Sequence, residues 1–65
     1  NRINWEALHM EKIMNQISSY KFQLVINKGL YTDDVITKET YEIVENKLLE
    51  KIHFLSSKLK EVESC

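Results

Sequence analysis

The chain contains no proline, one glycine and one cysteine. A single glycine excludes a phosphate-cradling loop, which needs several residues without a Cβ. The single cysteine, Cys65, excludes an internal disulfide. It stands as a bystander at the chain end or as a bridge between two copies, and so little cysteine suits a reducing compartment. An excess of one charge is missing too. Nine Lys and Arg against ten Asp and Glu leave a net charge of −1, too little to set up a field toward nucleic acid or a membrane surface. Residues 1–32 carry four basic and two acidic side chains, and residues 33–65 carry five and eight. No apolar run approaches the length of a membrane span. The opening NRINWEALHMEK lacks the apolar stretch of a signal peptide. A bacterial or host-cell cytoplasm is therefore the expected location, with a virion interior or surface left open. No repeat, low-complexity tract or flexible linker divides the chain, so residues 1–65 form one domain. At 65 residues a single core is marginal unless something staples it. Without a disulfide, oligomerisation is the expected staple and a homodimer the expected form.

What is present is helical spacing. Trp5, Leu8, Met10, Ile13, Met14, Ile17, Tyr20, Leu24 and Tyr31 mostly recur at intervals of three or four, the signature of an amphipathic helix over about 4–33, with Ile3 and Ala7 extending the face at its start. Gly29 either ends this helix as its C′ residue or, the preferred reading, lies inside it at a cost of ~1 kcal/mol relative to alanine, where it would also permit close approach of another helix. Tyr41, Val44, Leu48, Ile52, Leu55, Leu59 and Val62 repeat the spacing over about 37–63. Ile43, Leu49 and Phe54 widen that face, as Phe22, Val25 and Ile26 widen the first. Both stripes read as broad rather than as a strict two-position coiled-coil seam.

Between them lies YTDDVITKETYE, a corner at 34–36 with neither glycine nor proline. Asp33 and Asp34 end the first helix. Thr37 is placed to cap the second, Glu39 lies where the helix dipole favours an anion, and Ile36 and Tyr41 occupy the positions of a hydrophobic staple. A short connection between two helices of similar length makes them antiparallel neighbours. The implied register sets Leu24 at the level of Glu45, Ile17 against Ile52, Met14 against Leu55, Met10 against Leu59, and Leu8 or Ala7 against Val62. The fold class is all-α, an antiparallel two-helix hairpin. Its apolar surface exceeds what one partner helix covers, so closure into a four-helix bundle is expected. The expected protein interface comprises Trp5, Met10, Ile13, Met14, Phe22, Val25, Ile26, Ile43, Leu49 and Phe54. The flexible Met10 and Met14 suit a binding groove and a core equally.

The stretch YKFQLVINKGLYTDDVITKETYEIVENKLLEKI resembles the SHOCT-like family of short helical domains. Tyr20 matches that pattern's aromatic start, and Leu24 and Leu30 its apolar sites. Val35, Ile36, Thr37, Glu39, Tyr41 and Glu42 match its V/I-I-T-x-E-E-Y/F-E segment, and Leu48, Leu49 and Lys51 its tail. No gap is needed across residues 20–52. The family pattern has glycine before V-I-T, where this chain has Asp34, so Asp34 is expected to take the left-handed conformation instead. The resemblance implies oligomerisation or protein contacts, in a bacterial, phage or mobile-element setting. The chain also looks somewhat like the sporulation phosphatases that act on phosphorylated response regulators. Their Ser-Gln-x-x-Asp signature meets TYEIV here, with Tyr41 for the glutamine and Val44 for the aspartate, and the missing carboxylate argues against that activity.

Catalytic chemistry finds little support. His9 and His53 are the only histidines, and although Glu6/His9 and Glu50/His53 are spaced i,i+3, the two pairs fall at different levels of the hairpin, so no metal site is expected. Asp33 and Asp34 read as turn residues rather than as an acid–base pair. No nucleophile–base arrangement is credible, and Ser18, Ser19, Ser56 and Ser57 read as surface or boundary positions. Neither an enzyme nor a cofactor is expected. Arg2, Lys12, Lys21 and Lys28 on one helix and Lys47, Lys51, Lys58 and Lys60 on the other are too sparse for a DNA-reading face, so direct contact with nucleic acid is not expected. The expected function is a dimeric regulator or accessory factor that binds a larger protein. The alternatives are a DNA-associated accessory factor, for example in site-specific recombination, and a purely structural dimerisation domain.

Overall fold

The computed structural model describes the backbone of residues 2–64 and the side chains of Trp5 and of residues 7–61. Expectations placed on the side chains of Ile3, Glu6 and Val62, and on Cys65, lie outside the described residues. Two helices make up the chain, α1 (Arg2–Thr32) and α2 (Lys38–Ser64), joined by five residues and folded back as an antiparallel hairpin. The molecule measures 50 × 15 × 10 Å, a rod two helices wide and one helix thick.

The residues that α1 turns inward are Met10, Ile13, Ile17, Tyr20, Leu24, Asn27 and Tyr31, each buried or half-buried. Their spacing alternates strictly between three and four. On α2, Tyr41, Glu45, Leu48, Ile52, Leu55 and Leu59 do the same, with Val44 and Ser56 half-buried beside them. Alternating steps of three and four average 3.5 residues per turn, the period that keeps one narrow stripe facing a partner helix along its whole length. Within the hairpin the contact is therefore a strict seam, not the broad stripe expected, and the residues that widen the stripes lie outside it.

A narrow seam buries little. Ile13 and Leu48 are the buried apolar side chains among the described residues, at 5% and 6% exposure. Ile13 was expected on the outer interface; it belongs to the seam instead, because it sits three residues after Met10 and four before Ile17.

The register also differs from expectation. An equal-armed hairpin would set Tyr20 level with Leu49 and Tyr31 level with Lys38. Instead the Lys51 ammonium lies 5.4 Å from the centre of the Tyr20 ring, and the Tyr31 and Tyr41 rings stack at 4.6 Å. Met14 and Ile17 line a groove with Ser56 and Leu59, so Met14 does not pair simply with Leu55. The offset arises because the first turn of α2 is taken up by its cap and lies past the end of α1.

The corner solves two termination problems in five residues. The amide of Asp33 donates to Gly29 O at 2.9 Å, continuing the helical pattern. The amides of Val35 and Asp34 then donate to Leu30 O at 2.8 Å and Tyr31 O at 3.1 Å. Together with φ 60° at Asp34, these two bonds make a Schellman motif whose left-handed residue is aspartate rather than glycine. They satisfy carbonyls that would otherwise face water, in a last turn without a basic side chain. At the start of α2, the Thr40 amide donates to Thr37 Oγ1 at 3.2 Å, and the Thr37 hydroxyl donates to Thr40 Oγ1 at 3.1 Å. Glu39 follows in the first turn, in favourable interaction with the helix dipole.

Gly29 lies inside α1 with ordinary helical backbone, and a Cβ built there meets nothing within 4 Å. It permits no close helix approach, contrary to expectation, and weakens the helix without structural return. Gly29→Ala is expected to stabilise the chain by about 1 kcal/mol, raising the thermal midpoint by roughly 4–8 °C, as read by circular dichroism. Asp34→Gly relieves the left-handed strain and is expected to stabilise by up to about 1 kcal/mol. Asp34→Ala keeps a Cβ, loses the polar side chain, and is expected to lower the midpoint.

Candidate functional site

The seam is not wholly apolar. Toward the corner it carries Asn27, Tyr31, Tyr41 and Glu45 at four of its positions. Asn27 is 5% exposed, and its Nδ2 donates to the Tyr41 carbonyl at 3.1 Å. The Tyr41 hydroxyl donates to Glu45 Oε2 at 2.7 Å, and the Tyr41 ring lies nearly parallel to that of Tyr31, 12° apart. One residue, Tyr41, thus ties α1 to α2 by ring stacking and by its backbone carbonyl, while its hydroxyl holds Glu45 at the seam. A polar side chain at one inner position favours the register in which its hydrogen bond forms, which is how such residues act in coiled coils. Sequence reasoning missed Asn27, although the alternating spacing through Leu24 and Tyr31 passes through it, and set Glu45 level with Leu24 while giving its place in the stripe to Val44.

The hydrogen bond to Glu45 raises the Tyr41 pKa above the ordinary 10.0, with partial covering of the phenol and the nearby carboxylate charges adding to the effect. Ionisation would set a phenolate against a carboxylate. These groups hold the two helices together near the corner. His9 and His53 are both exposed, and His9 rests against Trp5, ring centres 6.4 Å apart. Among the described residues no group of three or more His, Cys, Asp or Glu is placed to hold a metal ion.

The expected interface residues fall in different places. Phe22 stands two positions from both Tyr20 and Leu24, so it points directly away from α2. Val25 and Leu8 lie on that same back surface, all three well exposed. Met14 and Leu49 flank the seam on one side, and Met10 is a half-buried residue of the seam itself. Ile43 lies on the back of α2. Ile26 and Phe54 border the other side, where the helices leave an open groove. Its corner half, about 300 Å³, is lined by Ile26, Leu30, Ile36, Val44 and Leu48 together with Gln23, Asn27 and Thr40. Its middle, about 340 Å³, is lined by Gln16, Tyr20, Glu50, Lys51, Phe54 and Leu55. Trp5, 68% exposed, stands near the open end. The structure does not gather the expected residues into one face; it distributes them over a groove, a flank and a back surface.

No described helix is long and apolar enough to cross a membrane. No protein-family model, curated protein or solved structure matches the chain.

The Tyr41 hydroxyl supplies a direct probe of the seam. The native chain holds that proton more tightly than the unfolded chain does. The associated stability is therefore complete below pH 10 and is lost as pH rises through the raised value. In an NMR titration the Tyr41 ring carbon is expected to shift with a midpoint above 10.0, and Glu45→Ala is expected to bring that midpoint back toward the ordinary value.

Proposed function

We propose that the chain is a non-enzymatic protein–protein interaction module, a small regulator or accessory factor that binds a larger protein. The observation that carries this reading is the balance of apolar surface. Among the described residues eleven large apolar side chains are exposed, against two apolar side chains buried. Isolated exposed apolar residues are ordinary, but a contiguous patch of them marks a contact surface. On the back of α1, Phe22 and Val25, one turn apart, are 66% and 69% exposed. The reading without catalysis is supported by the polar side chains, whose hydrogen bonds serve the cap, the corner and the seam. The resemblance of residues 20–52 to SHOCT-like domains points to protein contacts, and to the cytoplasm of a bacterium, its phages or its mobile elements as the setting.

A photoreactive side chain placed at position 22 tests the reading in native-host extract. It is expected to cross-link to a larger protein, and the complex is expected to survive added salt, since apolar contact is not screened. Phe22→Asp, with its helicity intact by circular dichroism, is expected to weaken that complex by about tenfold or more. Unchanged binding by the variant, or the absence of any larger cross-linked protein, would overturn the assignment. A complex that falls apart steeply with salt would instead mark nucleic-acid contact through released counterions.

A further inference from the structure

We infer that the groove between the helices is occupied by a second copy of this chain, docked groove to groove about a two-fold axis at mid-length, giving an antiparallel four-helix bundle. The inference rests on the interaction reading above and names one of its partners.

The exposed area sets the scale. A compact monomer of this mass exposes about 4,300 Å², and this chain exposes 5488 Å². The difference, about 1,200 Å², is more than the roughly 800 Å² that each partner contributes to a stable interface. The shape agrees. The radius of gyration is 15.1 Å, against about 11 Å for a compact domain of this length. Laying a second hairpin on the groove face doubles the 10 Å thickness, and it covers Ile26, Leu30, Val44, Leu55 and Phe54.

The placement of charge selects the occupant. Residue 17 is the midpoint of α1 and residue 51 that of α2, and the Tyr20–Lys51 contact lies within one helical turn of both. The middle of the groove thus lies close to the middle of the rod. The charged residues lining it there are Lys51 and, at the outer edge toward the back of α2, Glu50, whereas the corner half is lined by uncharged residues alone. A two-fold contact presents each residue of a pair to the other. An adjacent acid and base beside the axis therefore complement themselves: Glu50 of one copy would face Lys51 of the second, and the reverse. An antiparallel docking also brings the Trp5–His9 end of each hairpin over the uncharged corner half of the other. A foreign partner would need its own matched pair at that level; a second copy already carries it.

Sedimentation of the full chain over a concentration series is expected to give a mass near twice 7.7 kDa. Lys51→Glu and Glu50→Lys each place like charges beside the axis and are expected to weaken association by about tenfold. The double exchange Glu50→Lys with Lys51→Glu recreates the complement and is expected to restore it, which separates an axial contact from simple loss of folding. Orientation is tested with Cys65→Ser as background. Gln16→Cys, beside the axis, is expected to form an intermolecular disulfide. Ser18→Cys, level with it but facing the Met14 and Leu59 groove, is not. A monomer at every concentration, failure of the exchange to restore association, or preferential cross-linking through position 18 would overturn the inference. If the chain is monomeric while the position-22 complex persists, the dimer falls and the interaction reading stands. If the chain is dimeric and position 22 captures no larger protein, the dimer stands and the larger partner falls.

Discussion

The constraint on which the structure depends is the width of a helix–helix seam. Two helices packed side by side shield only the residues that recur every 3.5 positions, a strip about one side chain wide. This chain meets that constraint closely, with an unbroken alternation of three and four from Met10 to Tyr31 and from Tyr41 to Leu59. The consequence is a fold with well-defined pairing and very little interior. Deep burial is reached at Ile13, Asn27 and Leu48 among the described residues. Each of these has neighbours across the seam, but no third element lies above or below them. The apolar side chains that lie off the seam are left exposed, and this is the physical origin of the groove and of the back surface of α1.

The polar residues of the seam respond to a problem that a narrow apolar contact creates. Leucine and isoleucine rows slide past one another at small cost, because one apolar neighbour is nearly as good as the next. A hydrogen bond from Asn27 to the Tyr41 carbonyl forms at one register only. Placing it near the corner, beside the Tyr31–Tyr41 stack, fixes the alignment where the connection is shortest and where any slip would first have to strain the Schellman turn. The Tyr20–Lys51 contact then marks the same register at mid-length. Register is thus held by polar and aromatic groups, while cohesion comes from the aliphatic rows between them.

Much of this is legible in the residues. Periodicity defines both helices to within a few positions, and the corner chemistry of Asp34, Thr37 and Glu39 follows from the demands of helix termini, which are local. Asp34 illustrates the point. It takes the left-handed geometry while carrying a side chain that tolerates it less well than glycine would. What is not legible depends on three dimensions. The division of apolar residues between seam and surface turns on phase: Ile13 and Met14 are equally hydrophobic neighbours, yet one faces α2 and the other does not. Asn27 and Glu45 escape notice because hydropathy treats them as surface residues, and only the unbroken spacing places them inside. The register depends on how many residues the cap of α2 consumes, a quantity fixed by turn geometry rather than by composition.

The same division bears on how one small chain can serve two contacts. A hairpin has two open faces and two backs, and association through one face leaves the backs free. The groove contains an acid and a base at mid-length and otherwise uncharged side chains, which favours a self-complementary contact. The back of α1 presents Phe22 and Val25 on a helix that turns its seam residues the other way. Two docked hairpins would carry two such backs on opposite sides of a bundle, related by the same axis. A partner with its own two-fold symmetry, or two separate partner molecules, would then be engaged twice, and a modest affinity at each site would be multiplied by the effective concentration at the second. On this reading folding uses the seam, a second copy would use the groove, and a larger partner would use the back of α1 at Phe22 and Val25, so the three need not compete.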